Sequence, residues 1–254
     1  YLAQSPQFYK QMAMAAGLER VFEVGPVFRA EPSFTTRHAT EFTGFDFEMS
    51  FIKSPQEVMS MWAEAITHIL QRVAGEYGER IKQTYGVDVV VPTLPFPQMT
   101  MAEAKALLAK HNIQSEREGD LSPEEERALG KFILQQHGHE FIYITEYPTT
   151  VRPFYHMRAA DKPAVTLSFD LLWKGMEITT GAQREHRYDI LCAQAREKGL
   201  NLDLIQHYLN FFRYGCPPHG GAGIGPDRML MLLLNLDSIR EATYIYRGVK
   251  RLTP

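Results

Sequence analysis

The chain has 254 residues, 44% of them hydrophobic, and a formal net charge of −3. That length supports one large core or two small ones, and the charge excludes a global basic field, so any nucleic-acid contact has to be local. The two cysteines, Cys192 and Cys216, lack metal-ligand spacing and read as buried thiols of a reducing compartment, while no apolar run approaches the roughly 18 residues needed to span a bilayer and no signal-peptide pattern opens the chain.

The start at Tyr1, straight into an amphipathic pattern, reads as the cut end of a longer protein. Pro6 to Leu18 is expected to be a helix, opened by Ser5-Pro6 and stopped by Gly17. Residues 21–52 read as a hairpin whose loop carries Arg29 and Glu31 at one end and Arg37, His38 and Glu41 at the other. In its second strand Phe45, Phe47, Met49 and Phe51 alternate with Gly44, Asp46, Glu48 and Ser50. The first set is expected in the core. Asp46 and Glu48 then share the opposite face, for which water is the plain reading.

Ser54-Pro55 is expected to cap a long helix with Val58, Trp62, Ile66, Ile69, Leu70 and Val73 on one stripe, and Gly75 and Gly78 are expected to end it. Residues 88–99 read as extended. Thr100 and Glu103 form a capping box for a helix through Lys110. Ser122-Pro123 opens another helix, stopped by Gly138, whose Glu124 to Glu126 run reads as a solvated cap suited to the helix N-terminus. Phe141 to Thr145 reads as a strand. Ala164 to Trp173 and Met176 to Thr180 read as a strand pair turned at Lys174-Gly175. Asp189 to Lys198, Leu204 to Phe212 and Met229 to Leu234 read as helices. Hairpins outnumber βαβ units, so the fold class is α+β with a mainly antiparallel sheet.

Two elements carry chemistry. Asp170 and Glu177 flank the Lys174-Gly175 turn, where cross-strand neighbours can converge on a divalent cation such as Mg²⁺ shared with substrate phosphates; surface charge is the plain alternative. Far along the chain, Gly221-Ala-Gly223-Ile-Gly225-Pro-Asp-Arg228 reads as a glycine-rich turn ending in one arginine. It is neither a dinucleotide fingerprint nor a P-loop. Arg228 can bind a phosphate bidentately or lie flat on a base, with Phe42 as the opposite face.

Phe28-Arg29-Ala30-Glu31 with Arg37-His38-x-x-x-Phe42, followed by Gly221-x-Gly223-x-Gly225-x-x-Arg228, resembles motifs 2 and 3 of the class II aminoacyl-tRNA synthetases. Gln4-Ser5-Pro6-Gln7-Phe8-Tyr9-Lys10, Thr35-Thr36-Arg37-His38, Arg152-Pro153-Phe154-Tyr155, Gly181-Ala182-Gln183-Arg184 and Pro217-Pro218-His219-Gly220-Gly221 narrow the resemblance to the archaeal-style aspartyl branch. It covers essentially the whole chain. It implies a class II catalytic domain over residues 1–254, a mainly antiparallel sheet flanked by helices, with motif 1 and an anticodon-binding OB domain outside this chain. Tyr244-Ile-Tyr246-Arg247-Gly248 and Gln98 depart from the family pattern.

The resemblance also implies roles. ATP would take Arg29 on its α-phosphate, His38 near its γ-phosphate, adenine between Phe42 and Arg228, Glu31 at the adenine edge and the Gly225 backbone close by. Arg29 and Arg228 would be the catalytic pair. Asp170 and Glu177 would hold Mg²⁺, with Glu177 also counted in the ATP site. Ser5, Gln7 and Asp46 would meet the α-ammonium of L-aspartate, and Lys10 and Arg184 its side-chain carboxylate. The implied acceptor is tRNA(Asp), with tRNA(Asn) left open, in a cytoplasmic homodimer with no membrane contact. Asparaginyl specificity, a paralogue passing aspartate to another acceptor such as ammonia, and a non-catalytic module are the competing readings.

Overall fold

The computed structural model describes residues 2–30, 35–248, 251 and 253. A seven-stranded sheet organises them. Its strands are β1 (Arg20–Phe28), β2 (Glu41–Ser50), β3 (Gln98–Thr100), β4 (Phe141–Thr145), β5 (Ser168–Trp173), β6 (Met176–Gln183) and β7 (His219–Ile224). The spatial order is β1-β2-β7-β6-β5-β4-β3, antiparallel except where β3 joins β4. The helices are α1 (Gln7–Ala15), α2 (Pro55–Tyr85), α3 (Met101–Lys110), α4 (Pro123–His137), α5 (Tyr188–Glu197), α6 (Gln206–Phe212) and α7 (Pro226–Leu233).

The long helix α2 lies across one sheet face. Trp62, Ile66 and Leu70 pack there on Phe47, Phe169, Leu171, Ala222 and Ile224, and the indole N–H of Trp62 donates to Thr179 at 2.9 Å. On the opposite face, α3 and α4 bury Leu108, Leu129 and Ile133 against Ile142, Ile144 and Leu172. A third cluster joins Phe154 to α5 and α6 through Leu191, Tyr208 and Phe212. The predicted capping box of Thr100 with Glu103 forms, and a second one that was not predicted joins Ser122 with Glu125.

Several boundaries differ from the sequence reading. Helix α2 runs straight through Gly75 and Gly78 and stops at Gly86, whose φ of 69° only a residue without Cβ adopts at little cost. Tertiary packing of the apolar stripe outweighs two glycines at about 1 kcal/mol each. Phe51 is 66% exposed and in the left-handed region, so the β2 alternation ends before it. Glu125 and Glu126 are buried, not solvated: Glu125 pairs with Lys105 at 2.8 Å and Glu126 with Arg37 at 2.8 Å.

The glycine-rich segment is a central strand rather than a turn. Strand β7 lies between β2 and β6, with Gly223 opposite both Asp46 and Thr180, and Gly221 opposite both Glu48 and Ala182. A Cβ on Gly221 would strike the Phe47 carbonyl and the Glu48 carboxylate. The missing side chains make room for carboxylates of the neighbouring strand. A bulge at Leu171/Leu172 has a similar consequence: Glu177 and Thr180, which a regular strand would point to opposite faces, meet on one face, with the Thr180 hydroxyl donating to Glu177 at 3.3 Å.

Candidate active site

The sheet face left uncovered by α2 carries a cleft of about 380 Å³. Ser5, Gln7, Arg29, His38, Phe42, Asp46, Glu177, Arg184, Gly225 and Arg228 all line it, together with Arg37 and His156. Lys10 and Asp170 lie behind its wall, and Glu31 lies outside the described residues. The strand order explains this convergence. The hairpin β1–β2 and the β7–α7 element are distant in sequence but adjacent in the sheet.

One corner is built from four charges, the buried Lys10, Glu48 and Arg184 and the partly exposed Asp46. Lys10 of α1 donates to Asp46 at 2.8 Å, to the Ala222 carbonyl at 3.0 Å and to the Phe47 carbonyl at 3.3 Å, and lies 3.4 Å from Glu48. Arg184, 2% exposed, grips Glu48 with two prongs, Nε to Oε1 at 2.9 Å and Nη2 to Oε2 at 3.3 Å. Its Nη2 also donates to the Gly221 carbonyl at 2.9 Å, and its Nη1 lies 3.0 Å from His156 Nε2. Burial alone would raise the Glu48 carboxyl, but Arg184 and Lys10 outweigh it and hold Glu48 below the usual carboxylate range. Burial, then the Arg184 charge, push His156 well below its ordinary value, so its neutral Nε2 accepts the Arg184 hydrogen.

Glu48 is the residue whose importance the sequence reading missed. Its alternation with Phe47 and Met49 placed it beside Asp46, but alternation reports a face and not what covers that face. His156 was missed as well, although it directly follows the Arg152-Pro153-Phe154-Tyr155 segment that helped to carry the resemblance.

The other corner is cationic. Arg228, at the start of α7, donates to the Glu177 carbonyl at 2.9 Å and, through Nε, to the Arg37 carbonyl at 3.3 Å. Arg29 sits 5.3 Å from the Phe42 ring centre, and its Nε donates to the Gln4 carbonyl at 3.4 Å. Between the corners, Asp170 takes an ion pair from Arg152 at 2.7 Å, and Arg152 lies 3.6 Å from the Tyr147 ring centre. Oδ1 of Asp170 is buried without a well-formed hydrogen bond among the described residues, while the Tyr147 hydroxyl lies close enough to the Asp170 carboxyl to share a hydrogen with it. Glu177 keeps 38% of its side chain open to the cleft. Burial among its neighbours, then the Asp170 charge, raise its carboxyl to about 7. The buried Asp170 oxygen beside the Glu177 carboxyl fits a hard divalent cation such as Mg²⁺, which would displace any Glu177 proton, takes one or two protein carboxylates and completes its shell elsewhere.

Fold and cleft together define a domain built on a mainly antiparallel sheet, whose cleft has one corner of paired opposite charges and another rich in arginine. Residues 1–246 match the family described as tRNA synthetases class II (D, K and N), and the chain belongs to that family. It is 47% identical to the Aspartate--tRNA(Asp/Asn) ligase of Aeropyrum pernix, over 100% of this chain and 58% of that protein. The chain therefore spans a little over half the length of that relative. The aspartyl tRNA synthetase of Entamoeba histolytica superposes with a TM-score of 0.95 at 36% identity, covering 100% of this chain and 53% of that one. The asparaginyl-tRNA synthetase of the same organism, in complex with asparaginyl-adenylate, superposes with a TM-score of 0.91 at 32% identity over 100% and 58%.

Proposed function

We propose that this chain is the catalytic domain of an aspartate–tRNA ligase, forming aspartyl-adenylate from L-aspartate and ATP and passing the aspartyl group to tRNA(Asp), with tRNA(Asn) as a further acceptor. The observation that carries the aspartate choice is the buried Arg184, aimed by Glu48 and seconded by Lys10. Glu48 and Asp46 already pair these cations, but a substrate carboxylate gains a charge-assisted hydrogen bond from Arg184 that a neutral amide cannot match.

Asp46, Ser5 and Gln7 receive the α-ammonium in this reading, and Arg184 meets the side-chain carboxylate over the field of Lys10. The α-carboxylate oxygen forms a bond to the α-phosphorus of ATP as the bond to the bridging oxygen breaks and pyrophosphate departs. No protein nucleophile is needed. Arg29 stabilises the charge that builds on the α-phosphate, and His38 meets the γ-phosphate. Adenine lies between Phe42 and Arg228, with Glu31 at its edge and the Gly225 backbone beside it. Positioning supplies most of the acceleration. Asp170 and Glu177 would hold Mg²⁺, which when bound neutralises phosphate charge. A terminal hydroxyl of tRNA then attacks the activated carbonyl, and AMP leaves.

We read the complete protein as a cytoplasmic homodimer. The β1 edge supports this, because Phe22 and Val24 stand 75% and 60% exposed on it. No helix among the described residues is long and apolar enough to cross a membrane.

ATP–pyrophosphate exchange on the full-length protein tests the proposal, with aspartate and asparagine side by side and Lys10→Ala as the control. Exchange with aspartate alone, abolished in the variant, is expected. Exchange with asparagine would overturn the specificity, and exchange with neither would overturn the activity.

A further inference from the structure

We propose that Glu126 of α4 is a positioning residue for ATP: it grips one arm of the Arg37 guanidinium so that the rest of the fork faces the nucleotide phosphates. This rests on the synthetase reading of the cleft.

Glu126 belongs to a run of three glutamates at a helix start, a pattern that ordinarily means solvated caps. Here its side chain is only 12% exposed, and Oε2 accepts a hydrogen bond from Arg37 Nη1 at 2.8 Å. The same carboxylate lies against the backbone amide of Glu177 and within the field of Arg228. One side chain of α4 thus touches both the arm that carries Arg37 and the strand that carries Glu177. The helix reaches this place because Gly130 lets it lie on the β5–β6 turn, where a Cβ would meet the Gly175 backbone.

The Arg37 segment is held from other sides as well. The Arg37 carbonyl accepts from Arg228, and the Thr36 carbonyl accepts from the Ile239 amide at 2.9 Å. Arg37 itself lines the cleft beside His38 and Arg228. Its Nε and Nη2 make no hydrogen bond among the described residues. A guanidinium is a rigid planar fork that can give one edge to a carboxylate and another to a phosphate at the same time. Glu126 therefore fixes the direction of the remaining donors, and the bent triphosphate is the anion that the Arg37, His38 and Arg228 wall fits.

The test is MgATP binding by titration calorimetry on the full-length protein, followed by exchange kinetics. In Glu126→Gln, Kd for MgATP is expected to rise about tenfold, the size of one loosened charge-assisted hydrogen bond. KM for ATP should follow, and KM for aspartate should stay within about twofold, a split that a general loss of structure would not produce. Arg37→Ala should show a rise of similar size, and the double variant should be no worse than either single one. An unchanged Kd in Glu126→Gln, equal rises in both KM values, or multiplying effects in the double variant would each overturn the proposal. Should Glu126→Gln fail to fold, an unchanged Kd in Arg37→Ala overturns it from the other side. An unsubstituted protein that binds no MgATP would remove the synthetase reading itself, a result distinguishable from all of these.

Discussion

Glu48 and Arg184 form a two-pronged ion pair with both side chains sealed from water, at 1% and 2% exposure, and the pair sits directly behind the aspartate corner. Glu48 also lies 3.4 Å from Lys10, so one carboxylate orients both cations of the proposed specificity site. Removing it would leave two buried positive charges with Asp46 as their nearest compensation.

Glu48→Ala is therefore expected to cost about 3–5 kcal/mol of stability, the usual penalty for orphaning a buried charge. The loss of aspartate-dependent exchange should exceed the loss of MgATP binding, because Arg184 and Lys10 lose their aim while the phosphate corner keeps its own supports. Chemical denaturation and calorimetry check the two parts. A variant as stable as the parent would show that Glu48 does not compensate Arg184.

Gly221→Ala should be unusually damaging for an addition of one methyl group. Its Cβ would meet backbone at the Phe47 carbonyl as well as the Glu48 carboxylate, and backbone in a central strand has little room to retreat. A loss of about 1–3 kcal/mol is expected, together with a rise in KM for aspartate. Gly225→Ala, whose Cβ would meet only the Arg228 side chain at 3.7 Å, is the milder comparison. Equal effects of the two substitutions would argue against the packing of Glu48 over β7.

The raised carboxyl of Glu177 makes the ligand-free protein respond to pH in an uncommon direction. Its ordinary value is 4.5 and its value in the fold is about 7. Between these limits the folded state holds a proton that the unfolded state has released, so this group's contribution to stability is present at low pH and is lost as pH rises through about 7. Mg²⁺ competes with that proton, so stabilisation of the protein by Mg²⁺ with ATP should be greater at pH 8 than at pH 6. Glu177→Gln should flatten both dependences in thermal melts. Pronounced pH dependence surviving in Glu177→Gln would assign it to another group.

Much of the architecture was readable before any coordinates. The capping box at Thr100, the helix start at Ser122-Pro123, the strand Phe141–Thr145 and the apolar stripe on α2 are written in local chemistry, where a hydroxyl, a spacing or an alternation carries its own physical cause. The cleft wall was partly foreseen through the family resemblance instead: Ser5, Gln7, Arg29, His38, Phe42, Asp46, Arg184 and Arg228 all line one cavity. The errors share a cause too. Gly75 and Gly78 looked like stops, and Glu125 and Glu126 looked solvated like the exposed Glu124, because local propensity is weak beside the burial of a helix face.

Residue types and spacings pointed to the α+β class and the two charged motifs, and the resemblance of those motifs to known ones pointed to the family. They could not establish which charges face the ligand and which lie behind those that do. Lys10, Glu48, Asp170 and Glu126 are side chains of ordinary surface character in sequence, and all four are buried here beside partners from distant segments. Strand order made those pairings: β7 slots between β2 and β6, its glycines admit the carboxylates of β2, and the bulge in the β5–β6 pair turns Glu177 and Thr180 onto one face. A buried ion pair depends on the geometry of two segments at once, and a linear pattern records only one of them.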